Sequence, residues 1–298
     1  MNQTSTTRQG VIYALAAYII WGIAPIYFKM LRAIPAPEIL AHRIIWSCVL
    51  ILFLVWLSQS WSEVYSAIHR KKQLLVLMIT AVLIGGNWLT FIWAINSDHL
   101  LDASLGYFIN PLVNVVMGMI FLKERFRRLQ WFAVALATMG VLFEVIRFGS
   151  LPWIAIVLAL TFSCYGLLRK QVSIGALPGL FIETALLLPL ALLYLFFFDH
   201  SATSHLTHNP LTLNLLLVSA GAVTTIPLLF FTGAARRLRL STLGFFQYIG
   251  PSIMFILAIL FYDEPFNTNK LLTFVFIWGA LIIFSIDAIN QRQRGRMS

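Results

Sequence analysis

The chain is expected to be an all-α polytopic membrane protein, with ten transmembrane helices arranged as two inverted five-helix repeats. Three observations carry that expectation. Of its 298 residues, 60% are hydrophobic and 11% are charged, whereas a soluble domain keeps about a quarter of its residues charged. Apolar segments of roughly 20 residues, each matching the ~30 Å hydrocarbon layer at 1.5 Å rise per residue, fill most of the length. A segment near the middle also returns 140 residues later without a gap.

The elements follow from apolar runs and the breaks between them. The first span, near 11–30, ends at Lys29 and Arg32 and shows no small-residue cleavage site, so it is expected to be retained. The second, 38–57, runs to the polar segment before Arg70, Lys71 and Lys72, and the third, 74–95, follows those basic residues. "INSDHLLDA" separates it from the fourth, 101–122, because Asp98 and Asp102 are expensive in lipid and a single span across both would be far too long. The basic run from Lys123 to Arg128 precedes the fifth, 129–147, and "RFGSLP" is a join short enough to force an antiparallel sixth, 151–170. Arg169 and Lys170 close that span before the seventh, 178–198. "FFDHSATSHLTHNP" leads to the eighth, 211–233, and Arg236, Arg237 and Arg239 lead to the ninth, 241–262. The tenth occupies 271–289.

Ten spans put both termini on one side. That side receives 16 of the 21 Lys and Arg residues, and the other receives 5, namely Lys29, Arg32, Arg43, Arg147 and Lys270. Under the positive-inside rule both termini are cytoplasmic. The net charge of +10 therefore sets orientation; it lies in short clusters between apolar runs, which argues against a nucleic-acid surface. Cys48 and Cys164 fall inside spans and need not pair.

The repeat sets "SLGYFINPLVNVVMGMIFLKERF" from Ser104 against "GFFQYIGPSIMFILAILFYDEPF" from Gly244, so that Pro111 meets Pro251 and Glu124 meets Glu264. Five spans per half is an odd number, so the second copy, 148–298, crosses in the opposite sense to the first, 1–147. Inverted repeats recur in secondary transporters, where each half can adopt the other's conformation.

Several residues inside spans are candidates for function. Pro25, Pro111, Pro189, Pro227 and Pro251 each remove a backbone donor and are expected to kink their helices. Asn87, Asn110, Asn114, Gln247, Thr224 and Thr225 are expected to face inward, as substrate contacts or as interhelical glue. Trp21, Trp88, Tyr107, Tyr165 and Tyr248 lie near that polar set. An aromatic site with a few polar groups suits amphipathic or cationic solutes through cation-π attraction. Glu183, an acid within the seventh span, is a candidate to bind an amine, accept a coupling proton, or pair with Lys29 or Arg43. His42 and Arg43 either line a pathway or snorkel to the interface. His200, His205 and His208 with Asp199 read as a solvated loop rather than a metal site. Walker, HExxH and GxSxG motifs are missing from the sequence, so no cofactor is expected and transport draws on an ion or solute gradient. The competing class is a membrane-embedded enzyme acting on lipid or isoprenoid.

The motifs "RQGVIYALAAYIIWGIAPIYFK" from Arg8, "HRIIWS" from His42, "VLIGGNWLTFIWAIN" from Val82, "DASLGYFINP" from Asp102 and "RLRLSTLGFFQYIGP" from Arg237 closely resemble the EamA branch of the drug/metabolite transporter superfamily. The resemblance spans almost the whole chain. It implies a bacterial inner-membrane permease of ten helices in two inverted EamA repeats, embedded in lipid; separately, the chain is expected to work as a monomer. Its central cavity would take a small drug-like or amino-acid-like solute. Carried onto this chain, it supports Trp21, Asn87, Trp88, Tyr107, Asn110, Tyr165, Gln247 and Tyr248 as lining residues. The first and second spans match the sixth and seventh poorly, so the second copy's counterpart of His42 and Arg43 is not defined.

Overall fold

A computed structural model describes residues 3–31, 33–96, 100–149, 152–198, 201, 203, 206–207, 209–261 and 268–297. Asp98, His99, Asp199, His200, His205, His208 and Glu264 lie outside the described residues. The elements are α1 (Gln3–Met30), α2 (Ala36–Leu57), α3 (Trp61–His69), α4 (Lys71–Asn96), α5 (Leu100–Leu122) and α6 (Arg128–Phe148). They continue as α7 (Trp153–Gln171), α8 (Ala176–Phe197), α9 (Leu211–Arg237), α10 (Leu240–Gln247), α11 (Ile249–Phe261) and α12 (Thr268–Met297). Among the described residues, eight of these helices are long and apolar enough to cross a membrane: α1, α2, α4, α5, α6, α7, α8 and α9.

Turn chemistry sets the helix ends. Pro35 precedes α2, Pro152 precedes α7 and Pro210 precedes α9, each where a missing N–H costs no intrahelical bond. Lys123, at φ 54°, turns the chain out of α5, and Gly149, at φ 74°, does the same after α6. Two features depart from the regular pattern of apolar runs. The short α3 lies in the polar segment before Arg70, burying Val64 and Ala67 and setting Trp61 edge-on to Phe181. The apolar run expected at 241–262 is broken at Tyr248, whose N–H bonds to Phe245 O at 3.2 Å. Pro251 in the first turn of α11 has no N–H to offer the carbonyl of Gln247, and the chain breaks there, whereas α1, α5, α8 and α9 continue through Pro25, Pro111, Pro189 and Pro227.

The bundle turns its greasy side chains outward. Val82, Ile146 and Phe196 are exposed, while Asn110, Asn114, Glu183 and Arg169 are buried. Lipid as solvent explains that inversion, because apolar side chains are satisfied by acyl chains and polar ones only by each other. The helices pack chiefly as α5 on α7, α6 on α12, α1 on α9, and α2 on both α8 and α9; α4 packs on α7 and α8, α5 on α10, and α1 on α11. Close approach is enabled by Gly221 of α9, where a Cβ would collide with the backbone of Trp46 in α2. Ser47 Oγ uses that proximity to donate to Gly221 O at 3.2 Å.

Candidate functional site

A cavity of about 120 Å³ lies where α1, α2, α4, α5, α7, α10 and α11 converge. Trp21, Asn87, Trp88, Tyr107, Asn110 and Gln247 all line it, as do Pro25, Pro251 and Arg43. Phe28, Phe91 and Phe162 complete an aromatic wall, in which Trp21 meets Phe162 edge-on at 5.7 Å and Phe91 meets Tyr107 at 5.7 Å. The α1 and α2 residues place the cavity toward the end of the bundle opposite the start of α1.

The amides of the wall are tied into the bundle. Asn87 Nδ2 donates to Leu158 O at 3.0 Å and to Thr161 Oγ1 at 2.8 Å, joining α4 to α7. Asn110 Nδ2 donates to Ala159 O at 3.3 Å, and its Oδ1 accepts from Asn114 Nδ2 at 3.0 Å and Ser163 Oγ at 3.3 Å. Asn114 Nδ2 also reaches Gln247 Oε1 at 3.2 Å, linking α5 to α10. Asn114 thus sits behind the wall, holding Asn110 and Gln247 in position. The prolines act at the same place. A proline deprives the carbonyl four residues earlier of its donor, and for Pro25, Pro111 and Pro251 those carbonyls belong to Trp21, Tyr107 and Gln247, each a lining residue. Pro227, inside α9, is buried away from the lining.

Arg43 is the charged member of the wall. It is 7% exposed, its Nε donates to Thr224 Oγ1 at 2.9 Å, and its Cζ lies 4.9 Å from the Trp88 ring and 5.3 Å from that of Phe28. Among the described residues no carboxylate pairs with it and no acid lines the cavity.

The other candidates lie elsewhere. Glu183 is buried and takes Arg169 as its ion partner at 3.6 Å, rather than Lys29 or Arg43; Thr80 Oγ1 donates to it at 2.6 Å and Tyr165 OH at 3.3 Å. Tyr165 therefore serves that pair and stacks on Phe231 instead of lining the cavity. Tyr248 is buried at the α10–α11 break and donates from its hydroxyl to Phe108 O at 3.3 Å. His42 is buried and contacts Trp46 through Nδ1, and Lys29 is exposed at the end of α1.

On the side of the bundle where α1 begins, the helices are tied shut. The Glu124 carboxylate accepts from Leu240 N at 2.7 Å, from Ser241 N at 3.2 Å and from the Ser241 hydroxyl, and Arg239 lies 3.6 Å away. Lys170 donates to Ala235 O at 3.0 Å and to Leu238 O, while Arg237 Nε donates to Gln9 Oε1 at 3.1 Å. A cavity sealed at one end inside a helical bundle, with polar groups converging at its wall, is the plan of a solute permease.

The comparisons with known proteins place the chain within that class. Residues 8–146 match the EamA-like transporter family. Protein RarD of Escherichia coli (strain K12) is 58% identical over 288 residues, which cover 97% of this chain and 97% of that protein. A Pseudomonas aeruginosa protein named chloramphenicol-sensitive protein RarD is 32% identical, covering 96% of this chain and 98% of its own. A solved crystal structure with 18% identity superposes at a TM-score of 0.70, covering 95% of this chain and 98% of that one, and this likeness concerns the fold. The chain belongs to the EamA-like transporter family, in its RarD group, and is a multi-pass membrane transporter of small organic solutes.

Proposed function

We propose that the chain exports its solute across the bacterial inner membrane by alternating access, as a monomer of ten membrane helices in two inverted repeats, 1–147 and 148–298. The observation that carries this reading is the cavity, walled by helices of both halves and sealed at one end by the Glu124–Leu240 and Gln9–Arg237 contacts that cross between them. Two further observations support it. The 140-residue offset that aligns Pro111 with Pro251 also maps the start of α5, Leu100, onto the start of α10, Leu240. Helix pairings recur under the same exchange: α5 on α7 corresponds to α10–α11 on α1, α1 on α9 to α7 on α4, and α2 on α9 to α8 on α4. The remaining major contacts, α2 on α8, α6 on α12 and α5 on α10, join equivalent helices across the pseudo-two-fold. In this assignment α10 and α11 together form the ninth span, α12 forms the tenth, and the basic excess keeps both termini cytoplasmic.

Sealed proteoliposomes loaded with labelled amino acids, chloramphenicol or cationic dyes test the reading. Protein-dependent efflux, accelerated by unlabelled solute on the opposite side, is the expected result. A folded protein that leaves every solute at the rate of empty liposomes refutes it. The buried pairing of Glu183 with Arg169, away from the cavity, supports a structural role for this acid over a proton-coupling one. Loss of pH-dependent flux in a folded Glu183→Gln variant would reverse that assignment.

A further inference from the structure

Resting on the transport reading, we infer that the cavity selects solutes that present a carboxylate, with Arg43 as the group that recognises it. Charge is the first argument. Among the described residues, Arg43 is a desolvated cation with no carboxylate partner, in a wall that holds no acid. An unpaired charge within the membrane is costly and marks a functional group. A bound carboxylate supplies the missing counter-charge, whereas an ammonium would be placed beside Arg43 with nothing to offset either.

Geometry is the second. With Nε held by Thr224 and aromatic rings close to Cζ, the Nη1 and Nη2 edge is left for the planar, two-point contact that guanidinium makes with carboxylate. The aromatic faces that would otherwise attract a cationic solute are partly used here by the protein's own cation, at Trp88 and Phe28.

The third argument is the hydrogen-bond inventory of the side chains. The oxygens of Asn110 and Gln247 already accept from Asn114. Gln247 Nε2, the Tyr107 hydroxyl and the indole N–H groups of Trp21 and Trp88 donate to no described residue, and all four side chains line the cavity. Unused donors outnumber unused side-chain acceptors, which suits an anion.

A charge series on one skeleton tests this in the full-length protein purified in detergent. Binding of 3-phenylpropionate, 3-phenylpropanol and 3-phenylpropylamine is measured by titration calorimetry, with empty micelles subtracted. The propionate is expected to bind at least tenfold more tightly than the alcohol, a difference of about 1.4 kcal/mol, and the amine more weakly still. Arg43→Gln should bring the propionate to alcohol level, and Arg43→Lys should retain part of the preference because the charge remains without the fork. A wild-type preference below tenfold overturns the inference, as does a folded Arg43→Gln protein that keeps it. If Arg43→Gln does not fold, the wild-type series and Arg43→Lys still decide. Counterflow of the same solutes in proteoliposomes, measured against empty ones, separates the two claims. Propionate binding without counterflow sinks the transport reading alone, and counterflow of amine or alcohol without propionate selectivity sinks the carboxylate inference alone.

Discussion

Replacing Glu124 by Gln should release the sealed end of the bundle. The carboxylate, 7% exposed, bridges the end of α5 to the first turn of α10, accepting from Leu240 N, Ser241 N and the Ser241 hydroxyl. Glutamine keeps one acceptor oxygen and loses the charge. The loss is about one charge-assisted hydrogen bond, ~1.5–3 kcal/mol. Relief of the α10 N-terminal dipole adds ~0.3–1 kcal/mol, and the Arg239 pair, whose arginine is 42% exposed, adds only ~0–1 kcal/mol after solvent screening. Together these come to about 2–5 kcal/mol, all of it belonging to the state closed at this end, because opening parts α5 from α10. At about 1.4 kcal/mol per tenfold, the equilibrium should move by roughly one and a half to three and a half orders of magnitude. Met117, half-buried on α5 near the seal, serves as reporter. Met117→Cys, in a Cys48→Ser, Cys164→Ser background, should react with a membrane-impermeant maleimide far faster when Glu124→Gln is added. Gly118→Ala should act in the same direction, since its Cβ would lie 2.9 Å from Glu124 Oε2. A labelling rate that rises less than threefold in folded Glu124→Gln protein refutes the latch.

Three further outcomes follow from individual contacts. Glu183→Gln leaves Arg169 buried without a counter-charge, which typically costs about 3–5 kcal/mol; its thermal midpoint should fall by several degrees, and Arg169→Met in the same chain should restore much of the loss. Thr224→Val removes the acceptor that holds Arg43 Nε, so the ratio of propionate to alcohol affinity should shrink, whereas a threonine that only supports packing would weaken both ligands alike. Gly221→Ala pushes a methyl group into the Trp46 backbone; overpacking of this kind costs about 1–3 kcal/mol, visible as a lower unfolding temperature, and an unchanged midpoint would mean that α2 and α9 can separate freely.

Most helix positions were legible because the bilayer imposes a length on every crossing, and polar or basic breaks mark the turns. What escaped was structure that carries no hydropathy signal. The short α3 hides in a segment whose two buried residues, Val64 and Ala67, are too few to form an apolar run. The interruption at Tyr248 hides in an unbroken apolar stretch, although Pro251 marks it: Pro111 sits well inside a continuous α5, while Pro251 falls three residues into α11. The same proline alignment thus accompanies two different local conformations. The 140-residue offset equates sequence positions without equating backbone paths.

The candidate site was legible where polarity is rare and opaque where it is paired. Asn87, Asn110 and Gln247 stand out in apolar helices and do line the cavity, but Asn114 stands out equally and lies behind them, because one amide of an i, i+4 pair must satisfy the other. Phe28, Phe91 and Phe162 carry no such signal, since a phenylalanine in a membrane helix is unremarkable until its neighbours are known. Charge pairing was the hardest to read. Glu183 could be matched on paper with Lys29 or Arg43, and its actual partner, Arg169, looked like an ordinary basic residue at a span's end. That exchange of partners matters for specificity. With Glu183 committed to Arg169, Arg43 keeps a charge at the cavity wall that no described carboxylate compensates, and a site that aromatic composition alone assigns to cations becomes one suited to acids.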